Sequence, residues 1–197
     1  MDAERRAFAT SLHAAGREHD ARQADRLARW RNVEPETAAM LAVLVRATQA
    51  RRLLEIGTSN GCSTNWLADA AQATGGTLVS VDVEPSRTAL ARANLDAAGL
   101  AGAATLRTED AAAVLRAAPA AAFDFVFLDA ERDAYVGCWP DLVRTLAPAA
   151  LLAVDNAISH AEQVAGFRAL VEADARVQAA LVPVGAGVLL IVRTGTG

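Results

Sequence analysis

LLEIGTSNGCSTNWLADA, residues 53–70, is the stretch that decides the fold class. It begins as a short apolar run, passes through small and polar residues between Gly57 and Thr64, and continues with helical composition. A strand, a glycine-containing loop and a helix in this order are typical of the first βα unit of an open parallel sheet. Ligands bind beyond the carboxyl ends of the strands in such sheets, so this loop is the first candidate binding site.

After this unit, short β-like runs alternate with amphipathic segments. Four runs extend the strand pattern: TLVSVDV from Thr77, AATLRT from Ala103, FDFVFLD from Phe123 and ALLAVD from Ala150. Helices are predicted at residues 62–73, 85–98, 111–118, 132–146 and 161–173. The run RVQAALVPVGAGVLLIVR, residues 176–193, predicts two strands in an antiparallel hairpin. We therefore predict an α/β three-layer sandwich around a seven-stranded, mostly parallel sheet whose last strand is antiparallel.

The N-terminal part of the chain precedes this alternation and is helical in composition. Residues 3–31 predict two polar helices, and a third helix begins at Glu34 with Pro35 in its first turn. No linker or repeat divides the sequence. We predict one domain over residues 1–197, with residues 1–50 as a helical lid or dimer contact and residues 51–197 as the cofactor-binding core.

Composition and charge exclude several classes of protein. All 19 basic residues are Arg, the net charge is -4, and no basic stripe suits nucleic acid or an anionic membrane. No apolar run approaches the ~20 residues of a membrane span, and the N-terminus lacks a signal peptide pattern. The only cysteines, Cys62 and Cys138, lack metal-ligand spacing. We predict a cytoplasmic protein without nucleic-acid or membrane partners.

Two features of the loop region suit a nucleoside cofactor. Gly57 and Gly61 allow the backbone to approach a ligand closely, while Ser59 and Ser63 place hydroxyls near a helix N-terminus. A third glycine of the dinucleotide pattern is missing, which disfavours a nicotinamide cofactor. Asp82, at the end of the second strand, is placed to accept the hydroxyls of a ribose. The alternatives are an ordinary helix-capping turn and a solvated carboxylate.

The motifs E-I-G-T-x-x-G-x-S-T at residues 55–64 and V-D-V-E-P-x-R at residues 81–87 resemble the class I S-adenosylmethionine-dependent methyltransferases. More narrowly, the chain is similar to the catechol and caffeoyl-CoA O-methyltransferase family from about residue 35 to residue 193. The resemblance implies a Rossmann-like fold, S-adenosylmethionine as cofactor, a small-molecule acceptor and a homodimer. The cofactor contacts that it implies are Glu55, Gly57, Thr58, Ser59, Gly61, Ser63, Asp82, Val83, Asp110, Ala111 and Asp129.

By that resemblance, "TEDA" at residues 108–111 matches the family's G-D-A and places Asp110 and Ala111 beside the adenine. Glu109 stands where a glycine is usual, so the wall of the adenine pocket is expected to differ. Trp139 is a candidate wall of the acceptor pocket, whereas Trp66 falls in the first helix of the core and is expected to pack there.

A second group of polar residues follows the fourth and fifth strands. Asp129, Asp155 and Asn156 come to the same edge of the predicted sheet, and their hard oxygen ligands suit Mg²⁺. The resemblance assigns them to the family's metal site, which binds two adjacent oxygens of the acceptor. The alternative is that Asp129 caps a helix while Asp155 and Asn156 begin a loop.

The sequence departs from the family three residues after Asp129, where Arg132 replaces the usual catalytic Lys. A guanidinium keeps its proton in proteins, so Arg132 cannot be a general base, although it can stabilise a phenolate. His160 and Tyr135 are the other candidate proton acceptors. We predict S_N2 transfer of a methyl group to the hydroxyl of a catechol-like or phenolic acceptor. The alternatives are a methyltransferase that needs no metal and a cofactor-binding protein without catalysis.

Overall fold

The computed structural model describes residues 1–194, which form a seven-stranded sheet with helices on both faces. The helices α1 to α7 are Ala3–Ala21, Pro35–Ala47, Cys62–Thr74, Pro85–Ala97, Ala111–Ala117, Tyr135–Thr145 and Ala161–Ala173. The strands β1 to β7 are Arg52–Ile56, Thr77–Asp82, Ala104–Thr108, Phe123–Leu128, Leu146–Val154, Val177–Val182 and Val188–Arg193. Short 3-10 turns lie at Arg26–Ala28, Ala101–Ala103 and Arg132–Ala134.

The strand order of the sheet is β3-β2-β1-β4-β5-β7-β6. Strands β1 to β5 pair in parallel, whereas β7 is antiparallel to both β5 and β6. This arrangement confirms the predicted fold class, including the antiparallel last strand. The chain leaves β1 toward β2 on one side and returns to β4 on the other, so a crevice opens at the carboxyl ends of β1 and β4.

Two apolar clusters, one on each face of the sheet, anchor the strands that carry this crevice. In β1, Leu53 packs with the cluster on one face and Leu54 with the cluster on the other. Their partners in β4, Phe125 and Val126, divide between the same two clusters. Burial on both sides explains why these strands read as continuous apolar runs, and it holds the loops at their ends in fixed positions.

The structure corrects three of the predicted elements. The second polar helix does not form: between α1 and α2, within the described residues, the chain contains only the 3-10 turn Arg26–Ala28. The carboxylate of Asp20 accepts the backbone N–H groups of Trp30 and Arg31, which folds this segment back toward α1. A 3-10 turn replaces the beginning of the helix predicted at residues 132–146, and β5 begins at Leu146, before the predicted residue 150.

None of the helices within residues 1–194 has the length and apolar content needed to cross a bilayer.

Candidate active site

A cavity of about 390 Å³ lies at the carboxyl ends of β1, β2, β4 and β5. Its size lies within the range of small-molecule sites. The loops after these four strands form one part of its wall, and residues of the N-terminal segment between α1 and α2 form another. Of the predicted cofactor-binding residues, those that line it are Gly57, Thr58, Ser59, Ser63, Asp82, Val83, Ala111 and Asp129.

Gly57 allows the loop after β1 to pass close to the loop after β4. Its φ is 107°, and a Cβ atom there would overlap the backbone carbonyl oxygen of Asp129. The glycine therefore determines the distance between the two loops, one of which carries a predicted metal ligand. Gly61, with φ 83°, is the N-cap of α3 and packs against Ala91; it does not line the cavity itself.

We expect Gly57→Ala to lower the free energy of unfolding by about 1–3 kcal/mol more than Gly75→Ala does. Gly75 is the matched control, because its φ of 67° is also left-handed but no atom lies within 4 Å of the position that a Cβ would take there. Urea unfolding of both variants measures the difference. Equal losses would show that the contact with Asp129 has no energetic weight.

Glu55 lies beneath the loop rather than in the cavity. Its fully buried carboxylate accepts hydrogen bonds from the hydroxyls of Ser63 (2.5 Å), Thr64 (2.6 Å) and Ser80 (2.6 Å), which joins β1 to the start of α3 and to β2. This placement corrects the prediction of a direct cofactor contact, because the side chain is enclosed by protein groups. Burial raises the pKa of Glu55 to about 7, and the hydroxyl donors oppose that shift.

The raised pKa of Glu55 predicts how stability depends on pH. Between about 4.5 and 7 the folded chain holds this proton and the unfolded chain does not, so its contribution is full at low pH and is lost as the pH rises through 7. We expect the stability advantage of wild type over Glu55→Gln to fall by about 2 kcal/mol between pH 5 and pH 8. Urea unfolding at both values measures it, with the exposed Glu162→Gln as control. A constant difference would contradict the shift.

Asp82 connects the loop after β1 with the loop after β2. One carboxylate oxygen accepts the Ser59 backbone N–H (2.8 Å) and the other accepts the Glu84 N–H (3.0 Å). The side chain lines the cavity while remaining only 8% exposed. Beside it, the apolar side chain of Val83 is 61% exposed, so an acceptor of hydroxyl groups and a free apolar surface lie next to each other.

Asp110 caps α5 and is not among the residues that line the cavity, so its contact with adenine stays a prediction. Its carboxylate accepts the Ala113 N–H (2.9 Å). Ala111 and Glu109 do line the cavity, so Glu109 occupies part of the wall where the family usually has a glycine.

The predicted metal ligands lie together at the end of β4 and β5. The Asn156 amide nitrogen donates to an oxygen of Asp129 (3.1 Å) and to one of Asp155 (3.3 Å). Burial raises the pKa of Asp129, as does the negative charge of Asp155, while Arg31 and Arg132 oppose the shift. Burial also raises the pKa of Asp155. Two buried carboxylates this close favour an added positive charge.

The chemistry of this group fits a hard divalent cation. The Asp155 Oδ1 atom is buried and has no hydrogen-bond partner within residues 1–194. Half a turn of the Asn156 amide brings its oxygen to the side of the two carboxylates. No cluster of three or more His, Cys, Asp and Glu side chains suited to a metal occurs within residues 1–194, and this group contains only two carboxylates. Any ion here therefore completes its coordination with water or a ligand.

Two of the three candidate catalytic residues, Arg132 and His160, line the cavity, and the third, Tyr135, does not. Arg132 is buried at 7% exposure. Partial burial and the nearby positive charges, with that of Arg132 the largest, lower the pKa of His160, so its imidazole is neutral at pH 7 and able to accept a proton.

Tyr135 faces the core, which corrects its prediction as a proton acceptor. Its hydroxyl donates to the Ala130 carbonyl oxygen (3.0 Å) and accepts the Ala130 N–H (3.1 Å), and burial raises its pKa. Trp139 is also in the core, where its indole N–H donates to Asp174, so it forms no wall of the cavity. Trp66 packs against the apolar cluster of α2 and α3, as expected.

The N-terminal segment supplies cavity residues that sequence reasoning missed. They include Arg26, Arg29, Trp30, Arg31, Asn32 and Glu34. The Ser59 hydroxyl donates to the Trp30 carbonyl oxygen (2.7 Å), and the Trp30 ring stacks on His19 with centroids 3.8 Å apart. The sequence signal that could have indicated this part of the cavity is Trp30, a large aromatic residue between two arginines in a polar stretch.

The strand order, the glycine loop and the acid at the end of β2 define a Rossmann-like protein with a nucleoside-type binding site. The chain belongs to the O-methyltransferase family, since the profile of that family matches residues 17–194. This match confirms the resemblance seen in the motifs.

Individual relatives carry the same family name. The chain is 35% identical over 148 residues to a catechol O-methyltransferase of Mycobacterium tuberculosis, and 33% identical over 130 residues to one of Niastella koreensis. These matches cover 75% and 64% of this chain, and only 65% and 58% of the length of the two relatives. The O-methyltransferase TomG from Streptomyces achromogenes, solved in complex with SAM, superimposes with a TM-score of 0.78 at 28% identity, covering 99% of this chain and 92% of that one.

Proposed function

We propose that the protein is an S-adenosylmethionine-dependent O-methyltransferase that methylates a hydroxyl of a small catechol-like or phenolic acceptor with the help of a divalent cation. One observation carries the proposal: the glycine loop with Asp82 and the group Asp129, Asp155 and Asn156 line one cavity. A cofactor held by the first group therefore lies beside an acceptor held by the second. The catechol O-methyltransferases among the relatives support this class of acceptor.

The cofactor half of the cavity has polar groups for the carboxylate and the ribose of S-adenosylmethionine and an apolar surface for its adenine. Gly57 and Ser63 lie near the start of α3, where the N–H groups of a helix N-terminus favour the methionine carboxylate. Asp82 accepts the ribose hydroxyls, and Val83 with Ala111 offers apolar contact to the adenine.

The acceptor half holds and deprotonates the hydroxyl. Asp129, Asp155 and Asn156 would hold Mg²⁺, whose charge, when bound, lowers the pKa of the acceptor hydroxyl. His160 is the cavity residue suited to take that proton, and the positive charge of Arg132 stabilises the ionised oxygen. The oxygen then forms a bond to the methyl carbon as the bond from that carbon to the sulfonium breaks, leaving S-adenosylhomocysteine. Alignment of the two reactants supplies much of the acceleration.

Methyl transfer from labelled S-adenosylmethionine to catechols and caffeoyl-type esters tests the proposal, with added Mg²⁺ and with a chelator. We expect product that depends on the metal. Product that survives chelation would support a methyltransferase without a metal, an alternative favoured by the small number of carboxylates in the site. Cofactor binding without product on any acceptor would support a non-catalytic binding protein, which the replacement of the family's Lys by Arg132 favours.

A homodimer and a cytoplasmic location stay predictions. Val43 on α2 is 63% exposed, so this face is available for contact with a second copy. Sedimentation of the full chain measures whether the particle has the mass of a monomer or of a dimer.

A further inference from the structure

Within residues 1–194, Arg132 has no hydrogen bond to an anionic group. Its side chain lines the cavity at only 7% exposure, and both its Nε and Nη1 atoms are buried without a hydrogen-bond partner among the described residues. A buried guanidinium with unused donors is unfavourable unless another group satisfies them. The open cavity is the direction from which such a group can come.

Of the acids around Arg132, Glu131 is engaged by two other arginines, and Asp129 and Asp155 form the predicted metal site. Glu131 accepts from Arg31 (2.7 Å) and from Arg26 (3.0 Å), so its two oxygens are taken. Asp129 and Asp155 lie close enough to Arg132 for their pKa values to respond to its charge, but they are the pair suited to a cation. When that pair holds a divalent ion, its negative charge would be neutralised and would no longer balance the charge of Arg132.

Arg31 adds a second unused donor on the same cavity. Its Nε atom is buried and has no partner in the described part of the chain, although its Nη2 atom donates to Glu131. Both arginines also act on Asp129 and on His160, which places them on the acceptor side of the cavity. A carboxylate matches the planar fork of a guanidinium with two parallel hydrogen bonds, so it suits this pair better than a neutral polar group does.

We propose that the acceptor is a small hydroxylated aromatic acid whose carboxylate is bound by Arg132, with Arg31 alongside. This inference deepens the proposed function and rests on it for the identity of the acceptor half of the cavity. The inference gives Arg132, which stands at the family's lysine position, a role in substrate selection. Arg132 cannot accept a proton, but its positive charge favours an anionic acceptor.

Calorimetric titration of the full chain, loaded with S-adenosylhomocysteine and Mg²⁺ at pH 7.5, tests the inference without turnover. The probes are 3,4-dihydroxybenzoate and its neutral analogue 3,4-dihydroxybenzamide, which share the catechol and differ in charge. We expect the acid to bind at least about tenfold more tightly, the effect of one charge-assisted pair. Arg132→Gln removes this preference, and Arg31→Gln reduces it. Arg92→Gln, an exposed arginine of α4 outside the cavity, retains it.

Several outcomes overturn the inference: equal binding of acid and amide, binding of neither, or a preference that survives in a folded Arg132→Gln. If Arg132→Gln does not fold, as judged by its thermal unfolding, Arg31→Gln decides instead: a reduced preference supports the inference and an unchanged preference overturns it. Methyl transfer to the same two compounds separates the two proposals. Equal methylation of acid and amide leaves the proposed function standing and removes the inference. Selective binding of the acid without methylation of any acceptor would retain the carboxylate site at Arg132 and contradict the proposed methyl transfer.

Discussion

We expect Asp155→Asn to lower the metal-dependent rate of methyl transfer at least about a hundredfold, because the proposed mechanism makes Asp155 a direct ligand of the metal. The change halves the number of carboxylates in the predicted metal site and replaces one of the two oxygens of Asp155 by an amide nitrogen, which cannot bind a cation. Because Asn is nearly the same size, the packing at the end of β5 is retained. Initial rates at increasing Mg²⁺ concentration measure the effect, and we expect partial recovery at high metal concentration if binding of the ion is what was lost.

Asp133→Asn is the matched control for this change. Asp133 is an exposed acid in the adjacent 3-10 turn and does not line the cavity. Its replacement removes the same charge from the same region, so a long-range electrostatic effect would appear in both variants. A full rate in Asp155→Asn, or an equal loss in the two variants, would contradict a metal role for Asp155.

Asp82→Asn weakens binding of S-adenosylmethionine by about a hundredfold. Each oxygen of Asp82 accepts a backbone N–H, one from Ser59 and one from Glu84, while the side chain faces the cavity. In either orientation of the new amide, its nitrogen faces one of these N–H groups. That N–H group then has no acceptor and is repelled by the N–H groups of the amide. In the proposed orientation of the cofactor, Asp82 accepts two hydroxyl groups of the ribose, and loss of both charge-assisted hydrogen bonds would account for a change of this size, about 3 kcal/mol.

Titration calorimetry with S-adenosylhomocysteine measures this affinity without turnover. Glu84→Gln is the control, because Glu84 is an exposed acid two residues further along the same loop. Unchanged affinity in Asp82→Asn would contradict the placement of the ribose at Asp82 and therefore the proposed orientation of the cofactor.

The order of the elements from β1 onward and the place of the cavity followed from the sequence. Apolar runs of strand length, alternating with amphipathic segments, depend on interactions among residues close in the chain, and their period is visible in one dimension. Once the strands are parallel, their carboxyl ends meet at one edge of the sheet. Gly57, Asp82, Asp129 and Asp155 follow different strands, and topology alone brings them to one cavity.

Side-chain directions and the N-terminal wall were decided only by the tertiary structure. Glu55 and Tyr135 have the residue types of a site, yet contacts with Ser80 and with Ala130 turn them into the interior. Trp30 reaches the cavity through a hydrogen bond with Ser59, a residue 29 positions away. Such contacts join parts of the chain that no local pattern connects, and they form only when the packed sheet brings those parts together. The unpaired state of Arg132 depends on all of its neighbours, so it too became visible only in the folded chain.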